Sequence, residues 1–166
     1  KIYMGQRYKR PTEDLIIRNC LMENGHGGVT IGSEIAAGAQ RVLVQDCVFR
    51  GTDRGLRIKT RRGRGRDSVL DEIVFRHIRM EDVVNPFVVN SFYNDCDPDG
   101  RTDYVSGPNP QPVDERTPQI KTIRFEDIEA VGAHGCGFFI RGLPESRIKR
   151  LSFRNIPLTF SPAAHP

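Results

Sequence analysis

The chain has 166 residues, of which 37% are hydrophobic and 28% charged, and a net charge of +4. That length suffices for one domain with a real core, and no apolar run approaches the ~20 residues of a membrane-spanning helix. The modest positive balance suits an anionic partner, an acidic polysaccharide or a nucleic acid, without choosing between them. The opening residues, Lys1-Ile2-Tyr3-Met4-Gly5, include neither an initiator Met nor the apolar stretch of a signal peptide. The chain therefore reads as a piece of a longer protein, and extracellular, periplasmic and cytoplasmic locations all stay open. Cys20, Cys47, Cys96 and Cys136 are scattered without a C-x-x-C pair, which argues against a zinc or redox motif.

In chain order, five segments share one pattern: LIIRNCLM from Leu15, VLVQDCVF from Val42, IVFRHIRM from Ile73, IRFEDIEA from Ile123 and LSFRNIPL from Leu151. Apolar residues hold the first, third and sixth places, with Ile17, Val44, Phe75, Phe125 and Phe153 third. The fifth place is polar: Asn19, Asp46, His77, Asp127 and Asn155. The starts differ by 27, 31, 50 and 28 residues (42−15, 73−42, 123−73, 151−123). A second, shorter strand follows in most units: GVTIGS from Gly28, GLRIKT from Gly55, FVVNSF from Phe87 and GFFIRG from Gly137. Alternating β-branched and aromatic residues predict strands. One short strand cannot bury its face alone, whereas stacked coils bury a continuous core. The expectation is an all-β parallel β-helix, residues 1–166 forming a single segment. Its third-place residues should share one buried row, and a long loop insertion should run over about 93–119. The polar fifth place is expected to serve turns at strand ends, and Cys20 and Cys47 to stack inward as free thiols.

The chemistry-bearing residues concentrate on the second strand. Val29 and Ile31 should align with Leu56 and Ile58, both offset by 27, so Arg57 and Lys59 project outward together from one face. Such a pair is either a solvated edge or a grip for a carboxylate. His26, in Asn24-Gly25-His26-Gly27-Gly28, lies one coil from Arg57 on the same flank. On its own it reads as a surface residue. Glu34, Asp53 and Asp67 read as rim or turn residues. His134 sits at His26's azimuth three coils along, on the order of 14 Å away at ~4.8 Å per coil. Residues 95–100 open like a calcium loop, but Ser106 stands where an EF-hand needs Glu. No metal site and no cofactor is expected. The run from Arg61 to Arg66 is either an RNA-binding Arg-Gly segment or a basic lip for a polyanionic sugar.

GHGGVTIGSE from Gly25 and RGLRIKT from Arg54 resemble the Gly-His-Gly and Arg-Ile-Lys motifs of glycoside hydrolase family 28, the polygalacturonases, in the right order. TRRGRGR from Thr60, PFVVNSFYNDCDPDG from Pro86, PVDERTP from Pro112 and FFIRGLPE from Phe138 resemble its bacterial members, some of them exo-acting. The resemblance implies a right-handed, pectin-lyase-like β-helix, here partial. It implies inverting hydrolysis of α-1,4-galacturonosyl linkages in pectic polysaccharide, with polygalacturonate as partner rather than nucleic acid or membrane. His26 would be the catalytic histidine, tuning the acid, and Arg57 and Lys59 the substrate-binding cations. The family's Asn-Thr-Asp and Asp-Asp motifs do not occur in this sequence. The general acid and base are therefore expected upstream of Lys1, and this piece alone is expected to be inactive. The alternatives are a hydrolase of another acidic pectic chain and a non-catalytic polysaccharide-binding β-helix. The sequence leaves oligomeric state undetermined.

Overall fold

Alternating inward and outward side chains suit a pleated ribbon. In the computed structural model, which describes residues 2–93 and 102–162, the ribbons stack as a parallel β-solenoid of about five turns. The strands are β1 (Thr12–Arg18), β2 (Leu21–Glu23), β3 (Val29–Ile31), β4 (Ala39–Arg50), β5 (Arg54–Lys59), β6 (Val69–Glu81), β7 (Asn85–Asn90), β8 (Gln119–Ile120), β9 (Thr122–Ala133), β10 (Phe138–Arg141), β11 (Arg150–Arg154) and β12 (Leu158–Phe160). Two short helices that the periodicity did not predict, α1 (Ile2–Tyr8) and α2 (Asp103–Ser106), stand outside them. One sheet runs β1-β4-β6-β9-β11, with β2, β8 and β12 joined to β4, β6 and β9. The other runs β3-β5-β7-β10. Every pairing is parallel.

The expected row forms in register: Ile17 pairs with Val44, Val44 with Phe75, Phe75 with Phe125 and Phe125 with Phe153. Val44, Phe75 and Phe125 are buried, while Ile17 and Phe153, in the outermost coils, are only partly covered. The Phe75 and Phe125 rings stack with centroids 5.1 Å apart, and Phe125 and Phe153 at 4.8 Å. Phe87, from the opposite sheet, meets Phe125 edge-on at 5.4 Å. Stacked rings along each row and edge-to-face rings between rows are both favoured geometries, each worth roughly 0.5–1.5 kcal/mol beyond burial. Cys47 is buried beside Cys20, and both are free thiols.

The polar fifth place differs from expectation in an instructive way. It is no strand end in the central coils, because β4, β6 and β9 run straight through it. Asn19, Asp46, His77, Asp127 and Asn155 all take positive φ, between 51° and 55°. Each is a one-residue left-handed corner that bends the ribbon while pairing resumes on either side. Asn and Asp tolerate that conformation best. A second row of corners comprises Asp14, Arg41 and Glu72, and a third Asn24, Gly51, Asp82 and Gly132.

The basic run was expected to be an exposed lip or an RNA-binding segment. Instead Arg61, Arg62 and Arg64 are buried, and only Arg66 of the run's arginines is exposed. Arg62 is 1% exposed. Its guanidinium grips Glu145 with two bonds, 2.6 and 3.0 Å. It also donates to the carbonyls of Tyr104, Gly107 and Asn109 at 2.7–3.1 Å. Arg62 thus ties the described part of the predicted insertion to the coil after β10. The rest of that loop, with Cys96 and the calcium-like segment, lies outside the described residues. Burial alone would raise the Glu145 carboxyl, but its bonds to Arg62 and to backbone N–H groups outweigh burial and hold it below the usual range.

A buried pair broken on one side leaves an uncompensated charge. Arg62→Met should therefore cost about 3–5 kcal/mol in denaturant unfolding, and adding Glu145→Met should recover the part due to the orphaned carboxylate but not the part due to the Tyr104, Gly107 and Asn109 carbonyls. A depressed carboxyl stabilises fully above the ordinary Glu value of about 4.3 and loses that contribution as pH falls below it. The wild type should accordingly lose stability on acidification through that range more steeply than the double variant.

Candidate functional site

The site grows out of the third row of corners. After Asn24 and Gly51 the chain enters equivalent turns in adjacent coils, so His26 and Asp53 occupy matching places, offset by 27. His26 Nδ1 lies 2.6 Å from Asp53 Oδ2, and Arg57 Nη1 lies 3.3 Å from His26 Nε2. A guanidinium can only donate, so Nε2 must accept. In this arrangement Nδ1–H donates to Asp53 while Nε2 accepts from Arg57.

The flanking glycines allow this approach. A Cβ on Gly28 would meet the Phe49 ring at 2.5 Å, and one on Gly55 would meet Met80 Sδ at 2.5 Å and the Pro86 carbonyl at 2.6 Å. Gly32, at φ +102°, lies so close to the Lys59 carbonyl that a Cβ would be 1.9 Å from it. Bare backbone here lets β3 and β5 close against the core while their outward side chains stay in reach of one another.

Those strands keep the predicted register: Val29 pairs with Leu56, Thr30 with Arg57 and Ile31 with Ile58. Arg57 and Lys59 both project outward, and both lie over the ring of Tyr93, the guanidinium carbon at 5.3 Å and the ammonium at 4.5 Å from its centroid. Lys59 Nζ is also 3.5 Å from the Tyr93 hydroxyl. The electron-rich ring face holds two like charges side by side. Exposed His26 and half-buried Arg57 and Lys59 thus lie on one outward face, an arrangement their spacing allowed.

Two members of the group escaped the sequence. Asp53, read as a rim residue, instead orients His26; its signal was the offset 53−26 = 27, the coil length itself. Tyr93 carried none, because it follows β7 where the regular pattern stops. His134 lies at the same azimuth two coils beyond Asp53, with Nε2 3.9 Å from Asp82 Oδ1, and does not join the group. Glu34 and Asp67 also lie apart, Asp67 pairing with Lys9 at 3.3 Å. Among the described residues no group of three or more His, Cys, Asp and Glu side chains could hold a metal ion.

Residues 8–108, more than half of the chain, match the family Glycosyl hydrolases family 28. A polygalacturonase of Prunus persica is 31% identical over 154 residues, covering 90% of this chain and 36% of that protein. An exopolygalacturonase of Rhizopus delemar is 30% identical over 125 residues, 72% of this chain and 29% of its own. The crystal structure of a hyperthermoactive exopolygalacturonase from Thermotoga maritima superposes with a TM-score of 0.75 at 22% identity, covering 95% of this chain and 32% of that one. The chain spans about a third of the length of these relatives.

Two nearby glycines differ in the room around them. Gly28→Ala should cost roughly 1–3 kcal/mol through forced displacement of Phe49. Gly25→Ala, whose nearest contact would be an ordinary 3.7 Å, should stay within about 0.5 kcal/mol. Denaturant midpoints of the two variants check this; equal losses would show that the motif's glycines are not there for close packing.

Proposed function

Because the chain belongs to Glycosyl hydrolases family 28, we propose that it supplies the histidine and the carboxylate-gripping wall of a pectin-degrading hydrolase. The substrate is an α-1,4-linked galacturonate chain, cleaved with inversion. The observation that carries this reading is the meeting of both motifs on one face, with Arg57 3.3 Å from His26 and Lys59 beside it over Tyr93.

Each uronate brings a planar carboxylate, which a guanidinium grips with two parallel bonds and an ammonium with one. Arg57 and Lys59 hold that group at the reacting sugar. As Arg57 turns to the substrate, Nε2 of His26 becomes available to accept a hydrogen bond from the acid that protonates the leaving oxygen. Asp53 keeps the ring in that tautomer. Inverting hydrolysis also needs one carboxyl group as acid and another carboxylate to activate water, spaced to admit that water. Asp53 is engaged with His26, and no carboxylate pair matches the family's positions in this sequence, so in this proposal those groups come from outside the 166 residues.

Reducing-end assays should accordingly find no turnover of polygalacturonate by this chain alone. Turnover abolished by substituting an Asp or Glu within it would put the catalytic centre inside the chain. In a protein with the paired carboxylates, Arg57→Ala should lower kcat/KM more than Lys59→Ala does. A lost charged contact is worth roughly 1.5–3 kcal/mol, about ten- to a hundredfold. The penalty should shrink when the uronate at the reacting position is replaced by neutral galactose. Equal penalties on both substrates would make the pair structural.

A further inference from the structure

We infer that Arg141 is a second carboxylate-binding side chain of the same face, gripping another uronate of the same polymer two coils along from Lys59. The inference rests on the galacturonate reading above and extends it from one acidic sugar to a run of them. Register carries the first part of the argument. Lys59 pairs with Asn90, and Asn90 with Arg141, so the three occupy one outward row across β5, β7 and β10. Two inter-strand steps of ~4.8 Å separate Lys59 from Arg141 by ~10 Å along the solenoid axis. A polymer lying across the strands would therefore meet a cation at both places, with the amide of Asn90 between them.

The second part is the state of the guanidinium. Arg141 is exposed, yet not loose: its guanidinium carbon lies 4.0 Å from the centroid of the Phe92 ring. Phe92 is 6% exposed and also contacts buried Arg62, at 5.2 Å. The ring is therefore an anchored platform, and Arg141 rests over it with reduced freedom to lose on binding. Among the described residues its side chain has no hydrogen bond and no carboxylate partner. The N–H donors of the fork are thus not spent on a described partner, which leaves them for bidentate carboxylate recognition. In the adjacent outward row β10 adds Phe139, in register with Val88 and through it with Arg57, an apolar surface next to the cation for the less polar face of a sugar.

The test is calorimetric titration with mono- and trigalacturonate and with neutral trigalactose, on the wild type and on Arg141→Ala, Arg141→Gln and Arg57→Ala. Wild type should prefer trigalacturonate over both other ligands. Arg141→Ala and Arg141→Gln should each cut the trimer-to-monomer affinity ratio about tenfold or more, the loss of one charged contact. Thermal unfolding midpoints within a degree or two of wild type would exclude a folding defect, and Arg141→Gln provides the second reading should the alanine variant be unstable. If Arg57→Ala weakens trigalacturonate but the ratio stays intact in both Arg141 variants, the second subsite is wrong while the first stands. If wild type does not distinguish trigalacturonate from trigalactose, the uronate reading itself falls, and this inference with it.

Discussion

Everything on this molecule's surface depends on coil-to-coil register. Parallel strands pair residue for residue over the stack, and the left-handed corners at Asn19, Asp46, His77, Asp127 and Asn155 turn each coil at the same place. A slip of one residue would send the phenylalanine rows outward and the charged rows inward. The corners prevent it, because each is a fixed point where a single residue leaves the extended region. A side chain's neighbour is consequently found one coil length away in sequence. His26 and Asp53, Thr30 and Arg57, and Lys59 and Asn90 are all neighbours for that reason, although 27 to 31 residues separate them.

Where the coil length changes, the register needs a different fastening. Between β7 and β8 the chain leaves the regular path, and ordinary pairing cannot hold what is inserted. Arg62 does so, with five hydrogen bonds from one buried guanidinium to Glu145 and to three loop carbonyls. An irregular loop exposes carbonyls that no strand partner satisfies, and a rigid fork of donors answers several of them at once. Buried ion pairs are in general no stronger than apolar packing; here the pair specifies where a loop sits. Phe92 and Tyr93, at the root of that loop, meet the cations of the open face. The fastening and the candidate site are therefore mechanically adjacent.

Much of this was legible in the sequence, and what was not has definite physical causes. The coil period, the third-place row, the free thiols and the outward aim of Arg57 and Lys59 follow from periodicity alone, because stacking forces equivalent residues into equivalent places. The same logic, applied to polar residues, would have paired His26 with Asp53. It was not applied because a turn aspartate has a sufficient local explanation. The fate of Arg61, Arg62 and Arg64 lay outside its reach. A run of arginines and glycines is normally solvated, and what holds Arg62 inside is a glutamate 83 positions away in a loop without period, while Arg64 donates to the Ser33 carbonyl. The polar corners were attributed to the right cause, turn geometry, but located at strand ends, since a one-residue left-handed bend leaves no mark on hydrophobic alternation.

The distribution of charge gives the open face its chemical character. On the other sheet, charges answer one another across coils: Arg50 lies between Glu23 and Glu81, each at 2.8 Å, Arg41 binds Asp14 and Glu13, Arg79 binds Glu129, and Arg154 binds Asp127. The carboxyls of Glu81, Asp14 and Asp127 are held below their usual range chiefly by hydrogen bonds, from Arg79, Arg41 and Asn155 respectively. Such ladders satisfy themselves and leave little for a ligand to gain. Across β5 and β10 the pattern changes. Arg57 faces an imidazole and an aromatic ring, and Arg141 an aromatic ring, where the other sheet would offer a carboxylate. Aromatic rings hold a cation in place without neutralising it. Arg57 and Arg141 therefore keep their charge without a carboxylate partner among the described residues.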